Sequence, residues 1–164
     1  MAKSLAIAAS KGRFSMNTVE LRNARSSDFD LLVELFTNAR VRKYLGGVLS
    51  REEAGHRAET YINSKRDTDF VVEVEGDFCG LITLSTHIEE PGTEVSFQFL
   101  PVAYGKGIAS ESLKKVISLV SGRIVAETQL ANIACRKLLN RTGFIEVQQV
   151  FRHGEQQVIA MLEK

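Results

Sequence analysis

The sequence predicts a mixed α/β domain: one mostly antiparallel sheet with helices on both faces. Three observations carry this expectation. Some segments alternate apolar and polar residues with period two, and others carry apolar residues at helical spacing. Three strand-like segments come in a row before a strand–helix–strand unit. Glycine- and proline-containing breaks separate the segments, so the order reads β-α-α-β-β-β-α-β-α-β-β.

Each element has its own signal. Val19-Glu20-Leu21-Arg22 alternates and reads as a first strand. Ser27 to Asn38 carries Phe29, Leu32, Val33 and Phe36 at helical spacing, and Gly46-Gly47 breaks the pattern. Ser50-Arg51-Glu52-Glu53 is a capping-box start for a second helix running to about Ser64. Asp69 to Glu75 and Phe78 to Thr86 form a hairpin across Gly76-Asp77. After Pro91-Gly92, Val95, Phe97 and Phe99 alternate against Glu94, Ser96 and Gln98 in a fourth strand. Ile108, Ser112, Leu113, Val116, Ile117 and Val120 make one helical stripe. Arg123 to Thr128 is a short strand, and Ala131 to Leu139 is a last helix, closed by Gly143. Strands at about 144–150 and 157–162 end the chain.

Composition narrows the function. The chain has 164 residues, 44% hydrophobic and 25% charged, with a formal net charge of +1. Such a balance gives no electrostatic case for nucleic acid and none for an acidic tail. No apolar run reaches the length of a membrane helix. Cys79 and Cys135 are separated, which fits neither a zinc site nor a disulfide framework. They read as free thiols in a reducing compartment, so a cytoplasmic location is expected. Met1 to Ser10 has an apolar part of about five residues, short of a secretory h-region. Met16 opens a strand-like segment and could be the natural start. Residues 1–15 are therefore expected to be a tail or cloning remnant, and residues 16–164 one domain.

Val102-Ala103-Tyr104-Gly105-Lys106-Gly107-Ile108-Ala109 lies between a strand and a helix. A helix N-terminus offers unpaired N–H groups and the positive end of the dipole. Gly105 and Gly107 let the backbone approach closely, which together makes a seat for an anion. A dinucleotide fingerprint would need glycine at 110, where Ser110 stands. A nucleotide P-loop would need Ser or Thr after Lys106, where Gly107 stands.

About thirty residues downstream comes Asn132-Ile133-Ala134-Cys135, ending in Gly143-Phe144. Loop and asparagine motif together resemble the GNAT superfamily of acetyl-CoA-dependent N-acetyltransferases. The family's loop is Gln/Arg-x-x-Gly-x-Gly/Ala after its fourth strand, and its second motif runs Asn-x-x-Ser…Gly-Phe. Glu94-Val95-Ser96-Phe97, Glu20-Leu21-Arg22, Asp28 and Val41-Arg42-Lys43-Tyr44-Leu45 resemble the ribosomal-protein N-terminal acetyltransferase branch. The resemblance spans about residues 17–162. It implies a GNAT-like fold whose sheet splays between strands four and five. Acetyl-CoA would be the co-substrate, with no metal, and an amine the acceptor. The pantetheine arm would pair with backbone near Phe99, Leu100 and Val102. Amides of Tyr104, Gly105, Lys106, Gly107, Ile108, Ala109 and Ser110 would hold the pyrophosphate. Asn132 and Cys135 would lie along the arm, Asn132 also serving as a helix N-cap. Val102 departs from the family's Gln or Arg, and Cys135 from its Ser.

Acetyl transfer needs a neutral amine, so a base must take its proton. In some relatives a Glu five residues before the motif Asn does this, and Glu127 matches. Glu94, on the fourth strand, is the rival. Those relatives also use a Tyr seven residues after the Asn, where this chain has Leu139. Cys135 or water would then protonate the leaving thiolate. His56, His87 and His153 show no metal spacing and read as surface residues. Arg40-Val41-Arg42-Lys43 reads as a solvated helix end. A non-catalytic acyl-CoA-sensing module and a nucleotide-binding α/β domain are the competing readings. The acceptor stays open between a protein N-terminus and small amines, and a homodimer is left open.

Overall fold

The computed structural model describes residues 19–164. The expected tail at 1–15 and the candidate start at Met16 lie outside the described residues. In chain order the elements are β1 (Val19–Arg22), a 3₁₀ turn (Ser26–Asp28), α1 (Phe29–Thr37), α2 (Ala39–Arg42) and α3 (Arg51–Ser64). Then come β2 (Asp69–Val74), β3 (Asp77–Thr86), β4 (Thr93–Phe99) and a second 3₁₀ turn (Pro101–Ala103). The chain closes with α4 (Ile108–Leu119), β5 (Ile124–Gln129), α5 (Ile133–Arg141), β6 (Ile145–Arg152) and β7 (Glu155–Leu162).

One seven-stranded sheet has the order β1-β2-β3-β4-β5-β7-β6. Every neighbouring pair is antiparallel except β4 and β5, which are parallel. The expected α/β architecture is thus present, with the expected elements in order and one further short helix, α2.

Period-two alternation builds a core on each face. Val71 and Leu81 enter one core with Leu32, Leu35 and Phe36 of α1 and Ala54 and Ala58 of α3. Their chain neighbours Val72 and Ile82 enter the other, with Leu113 and Val116 of α4 and Leu138 and Leu139 of α5. Both strands are apolar at successive positions because both of their faces are covered. Full burial of a Leu, Ile or Phe side chain contributes about 1.5–3 kcal/mol.

Polar groups fix where these layers meet. Arg22 ends β1 and grips Asp28 with two hydrogen bonds of 2.7 and 2.9 Å. Its Nε donates to Glu73 of β2 at 2.6 Å. Burial pushes the Asp28 carboxyl up, but Arg22 and the Arg25 backbone N–H outweigh that and hold it below its usual value. The expected capping box at Ser50 is formed, Glu53 N–H donating to Ser50 Oγ and Ser50 N–H to Glu53 Oε2.

The basic run after α1 departs from expectation. Asn38 caps a separate short helix, accepting from the N–H groups of Arg40 and Val41. Arg42 is buried rather than solvated. It donates to the carbonyls of Leu45 and Gly47 at 2.6 and 2.9 Å and so braces the Gly46-Gly47 turn. Backbone carbonyls, which sequence spacing does not display, replace the acid partner that such a buried cation normally finds.

Gly80 sets how closely β3 and β4 approach. A Cβ there would lie 2.3 Å from the Gln98 carbonyl oxygen and 2.7 Å from the Phe99 ring. Gly80→Ala is expected to cost about 1–3 kcal/mol, the usual range for overpacking, read as a lower Tm in thermal unfolding.

Candidate active site

β4 and β5 pair only at Thr93↔Ile124 and Glu94↔Val125. Beyond those residues β4 stays paired with β3 as far as Phe99, and β5 with β7 as far as Gln129. The two parallel strands are therefore held from their outer sides while their inner edges part. A cavity of about 630 Å³ fills the opening. Val95 to Phe99 line it on the β4 side, and Ala126, Glu127 and Thr128 on the β5 side.

One end of the cavity is the loop expected to seat an anion. Tyr104, Gly105, Gly107, Ala109 and Ser110 line it. Gly105 and Gly107 have φ of +70° and +78°, a conformation that strains any residue with a Cβ. Gly107 is the N-cap of α4 with no side-chain cap. The first helical amides have no intrahelical acceptor, so they face outward as donors. A Cβ built on either glycine meets nothing within 4 Å, so the approach to these amides is open. Arg40 lies 5.3 Å over the Tyr104 ring at the same rim. Burial raises the Tyr104 phenol, with Arg40 opposing, so it stays protonated at neutral pH.

The flank is supplied by α5. Asn132 caps it, Oδ1 accepting from the Cys135 N–H at 3.2 Å. Asn132 and Cys135 both line the cavity. Burial pushes the Cys135 thiol up, and a hydrogen bond with Thr128 only partly offsets it. Cys79, the other free thiol, is buried in the core and pushed up to about 11 by burial.

Four of the expected residues sit differently. Leu100 points into the α1–α3 core, and its N–H already donates to Cys79 O at 2.9 Å. Val102 lies on the surface of the 3₁₀ turn. Ile108 buries its side chain in the opposite core, leaving only its backbone at the seat. Glu94 is half-buried and, among the described residues, is not part of the cavity lining.

The opposite end holds a polar cluster. Glu127 lines the cavity, and His87 Nε2 lies 2.8 Å from its Oε2. Arg152 Nε lies 3.4 Å from Oε1. Glu94 stands beside this cluster. Burial raises its carboxyl, Glu127 adds to that rise, and His87 and Arg152 oppose it. His87 is thus buried, not the surface residue its scattered position suggested. Arg40 and Tyr44 also line the cavity, and spacing alone did not mark them as site residues.

An anion seat and a carboxylate in one strand gap suit an acyltransferase that takes its group from a nucleotide-linked thioester. The family description "Acetyltransferase (GNAT) domain" matches residues 18–145, and the chain belongs to that family. It is an acetyl-CoA-dependent N-acetyltransferase with acetyl-CoA as co-substrate. Among curated proteins none matches. Solved structures share the fold. A GNAT acetyltransferase from Bacillus anthracis is 19% identical, with TM-score 0.76, covering 89% of this chain and 95% of that one. Spermidine N-acetyltransferase from Vibrio cholerae, in complex with CoA and spermine, is 19% identical, with TM-score 0.72 and coverage of 89% and 95%. A Salmonella typhimurium acetyl transferase, which modifies the N-terminal serine of ribosomal protein L7/L12, is 17% identical, with TM-score 0.74 and coverage of 90% and 96%.

Two outcomes are expected. Gly107→Ala puts a methyl group where the seat is open and strains the turn, so the Kd for CoA should rise about tenfold or more by calorimetry. Glu94 has a raised pKa in the folded state. Its contribution to stability is present below the unfolded value and lost as pH rises through the folded one. Glu94→Gln should therefore melt higher than wild type at about pH 7, the gap closing toward about pH 4.

Proposed function

We propose that the chain moves the acetyl group of acetyl-CoA to a primary amine by direct attack on the thioester, with Glu127 as general base. The observation that carries this is the early parting of β4 and β5, with a helix start at one end of the gap and Glu127 in its wall. The diphosphate of CoA would take the amides at residues 105–110. The pantetheine arm would follow the unpaired edge of β4, with Asn132 alongside.

Glu127 takes a proton from the ammonium form of the acceptor. The free amine adds to the thioester carbonyl, the C–S bond breaks, CoA leaves as a thiolate, and the second proton of the acylated nitrogen passes to that thiolate. A carboxylate in hydrogen-bond reach supplies about 10²–10⁴-fold of such a rate. Glu94 is the weaker candidate because it is not among the residues that line the gap. Burial makes the Cys135 thiol a poorer acid than an exposed cysteine, so water at the cavity mouth takes that role. Leu139 is buried in the core at the place where some relatives carry Tyr.

The acceptor is a primary amine that is cationic before transfer. Relatives of the same fold act on spermidine, an aminoglycoside and a ribosomal protein N-terminus, and these three chemistries define the panel. Thiol release from acetyl-CoA, measured with spermine, ribostamycin and a serine-starting peptide, tests the activity. Glu127→Gln should lower kcat about a hundredfold or more while the Kd for CoA holds. A variant that acetylates at the wild-type rate places the base elsewhere.

A further inference from the structure

Resting on the assignment of Glu127 as base, we propose that His87 is its positioning residue. In this role a buried neutral imidazole donates Nε2–H to one Glu127 oxygen while Arg152 holds the other.

The proton's place follows from the partners of the ring. His87 Nδ1 accepts from the backbone N–H of Glu90 at 2.9 Å and of Glu89 at 3.2 Å. A nitrogen that accepts from two N–H groups carries no proton of its own. The ring proton is then on Nε2, which lies 2.8 Å from Glu127 Oε2 and donates to it. The His87 side chain is fully buried, so no water competes for that bond.

The cluster closes on itself. Arg152 Nε faces Glu127 Oε1 at 3.4 Å, and its Nη2 donates to Glu89 Oε2 at 2.8 Å. Glu89 in turn donates its N–H to His87. Glu127 Oε2 thus spends one lone pair on a fixed donor and keeps another, while Oε1 faces the Arg152 guanidinium as an ion pair. Glu127 lines the cavity, so the remaining lone pairs are available to an acceptor amine there. A free Glu side chain loses about 1.5–2 kcal/mol of rotamer entropy when it is fixed. Here the turn after β3 and the end of β6 pay that cost in advance. The order inverts that of hydrolase triads, where a carboxylate orients a histidine base. Here a histidine orients a carboxylate base.

Two variants separate this role from a structural one. Asn at 87 presents its oxygen near the place of Nδ1, so it keeps the turn bonded and drops the donor to Glu127. Gln reaches the place of Nε2, so it keeps that donor and drops the turn. The assay uses acetyl-CoA and whichever of spermine, ribostamycin and the serine-starting peptide turns over fastest. His87→Asn should lower kcat about tenfold or more, with the KM for acetyl-CoA within about twofold. His87→Gln should run at least about fivefold faster than His87→Asn, although its Tm is the lower of the two.

In a Glu127→Gln background, His87→Asn should add no further loss. The reverse order of rates, with kcat following Tm, makes His87 a brace for the turn and overturns the proposal. A wild-type rate for His87→Asn beside an inactive Glu127→Gln overturns it too, while the base assignment survives. A wild-type rate for Glu127→Gln removes the base assignment itself. Nitrogen-15 NMR of the histidine rings needs no acceptor. It should show His87 protonated at Nε2, and a proton at Nδ1 would sink the proposal.

Discussion

Two parallel strands that begin as neighbours and then separate create a demand that everything around them answers. Past Glu94 and Val125, the inner edges of β4 and β5 no longer bond each other. Backbone N–H and C=O groups are obligatory hydrogen-bonding groups, so an opened ladder inside a domain needs new partners. A CoA arm that carries amides can pair with such an edge as a further strand would. The gap persists because each strand is held from outside: β3 pairs with β4 and β7 with β5 along their full lengths. A binding slot built this way depends on its outer strands as much as on the residues that line it.

The anion seat depends on the same arrangement. Ile108, Leu113 and Val116 anchor α4 in the core beneath the sheet, which points the helix start at the mouth of the gap. Gly80 lets β3 lie against Phe99, keeping β4 in register up to the point where the chain turns into Pro101. Sheet pairing fixes the slot, packing fixes the helix, and the left-handed glycines leave the amides uncovered. Each of these acts at a different place in the chain, and the cavity exists where they converge.

Most of this was legible in the sequence because it is local. Alternation in β2, β3 and β4, the capping box at Ser50 and the glycine loop are patterns within a few residues. What sequence reading missed is long-range. His87 lies in a polar stretch, Thr86 to Glu90, that reads as surface. Its burial comes from Glu127, 40 residues on, and from the β6 end that brings in Arg152. Arg42 looks like part of a solvated basic run, yet a turn three to five residues later folds its carbonyls over the guanidinium. The choice between Glu94 and Glu127 likewise rests on strand parting. Both are strand glutamates in sequence, but only Glu127 lies past the point where the gap opens.

Charge gives the site its direction. At one end a helix dipole and open amides favour an anion, the diphosphate of CoA on the function proposed above. At the other, Glu89, Glu94 and Glu127 cluster around one arginine, Arg152, a formal excess of carboxylate. On the function proposed above, an amine arrives there as an ammonium ion. The carboxylate that attracts this ion also removes its proton, so attraction and activation fall on one group. That economy has a structural cost: burial first, and the neighbouring Glu127 after it, raise the Glu94 carboxyl. Arg152 and His87 offset the repulsion. A fully neutralised cluster would be more stable, and it would also have less hold on a cation.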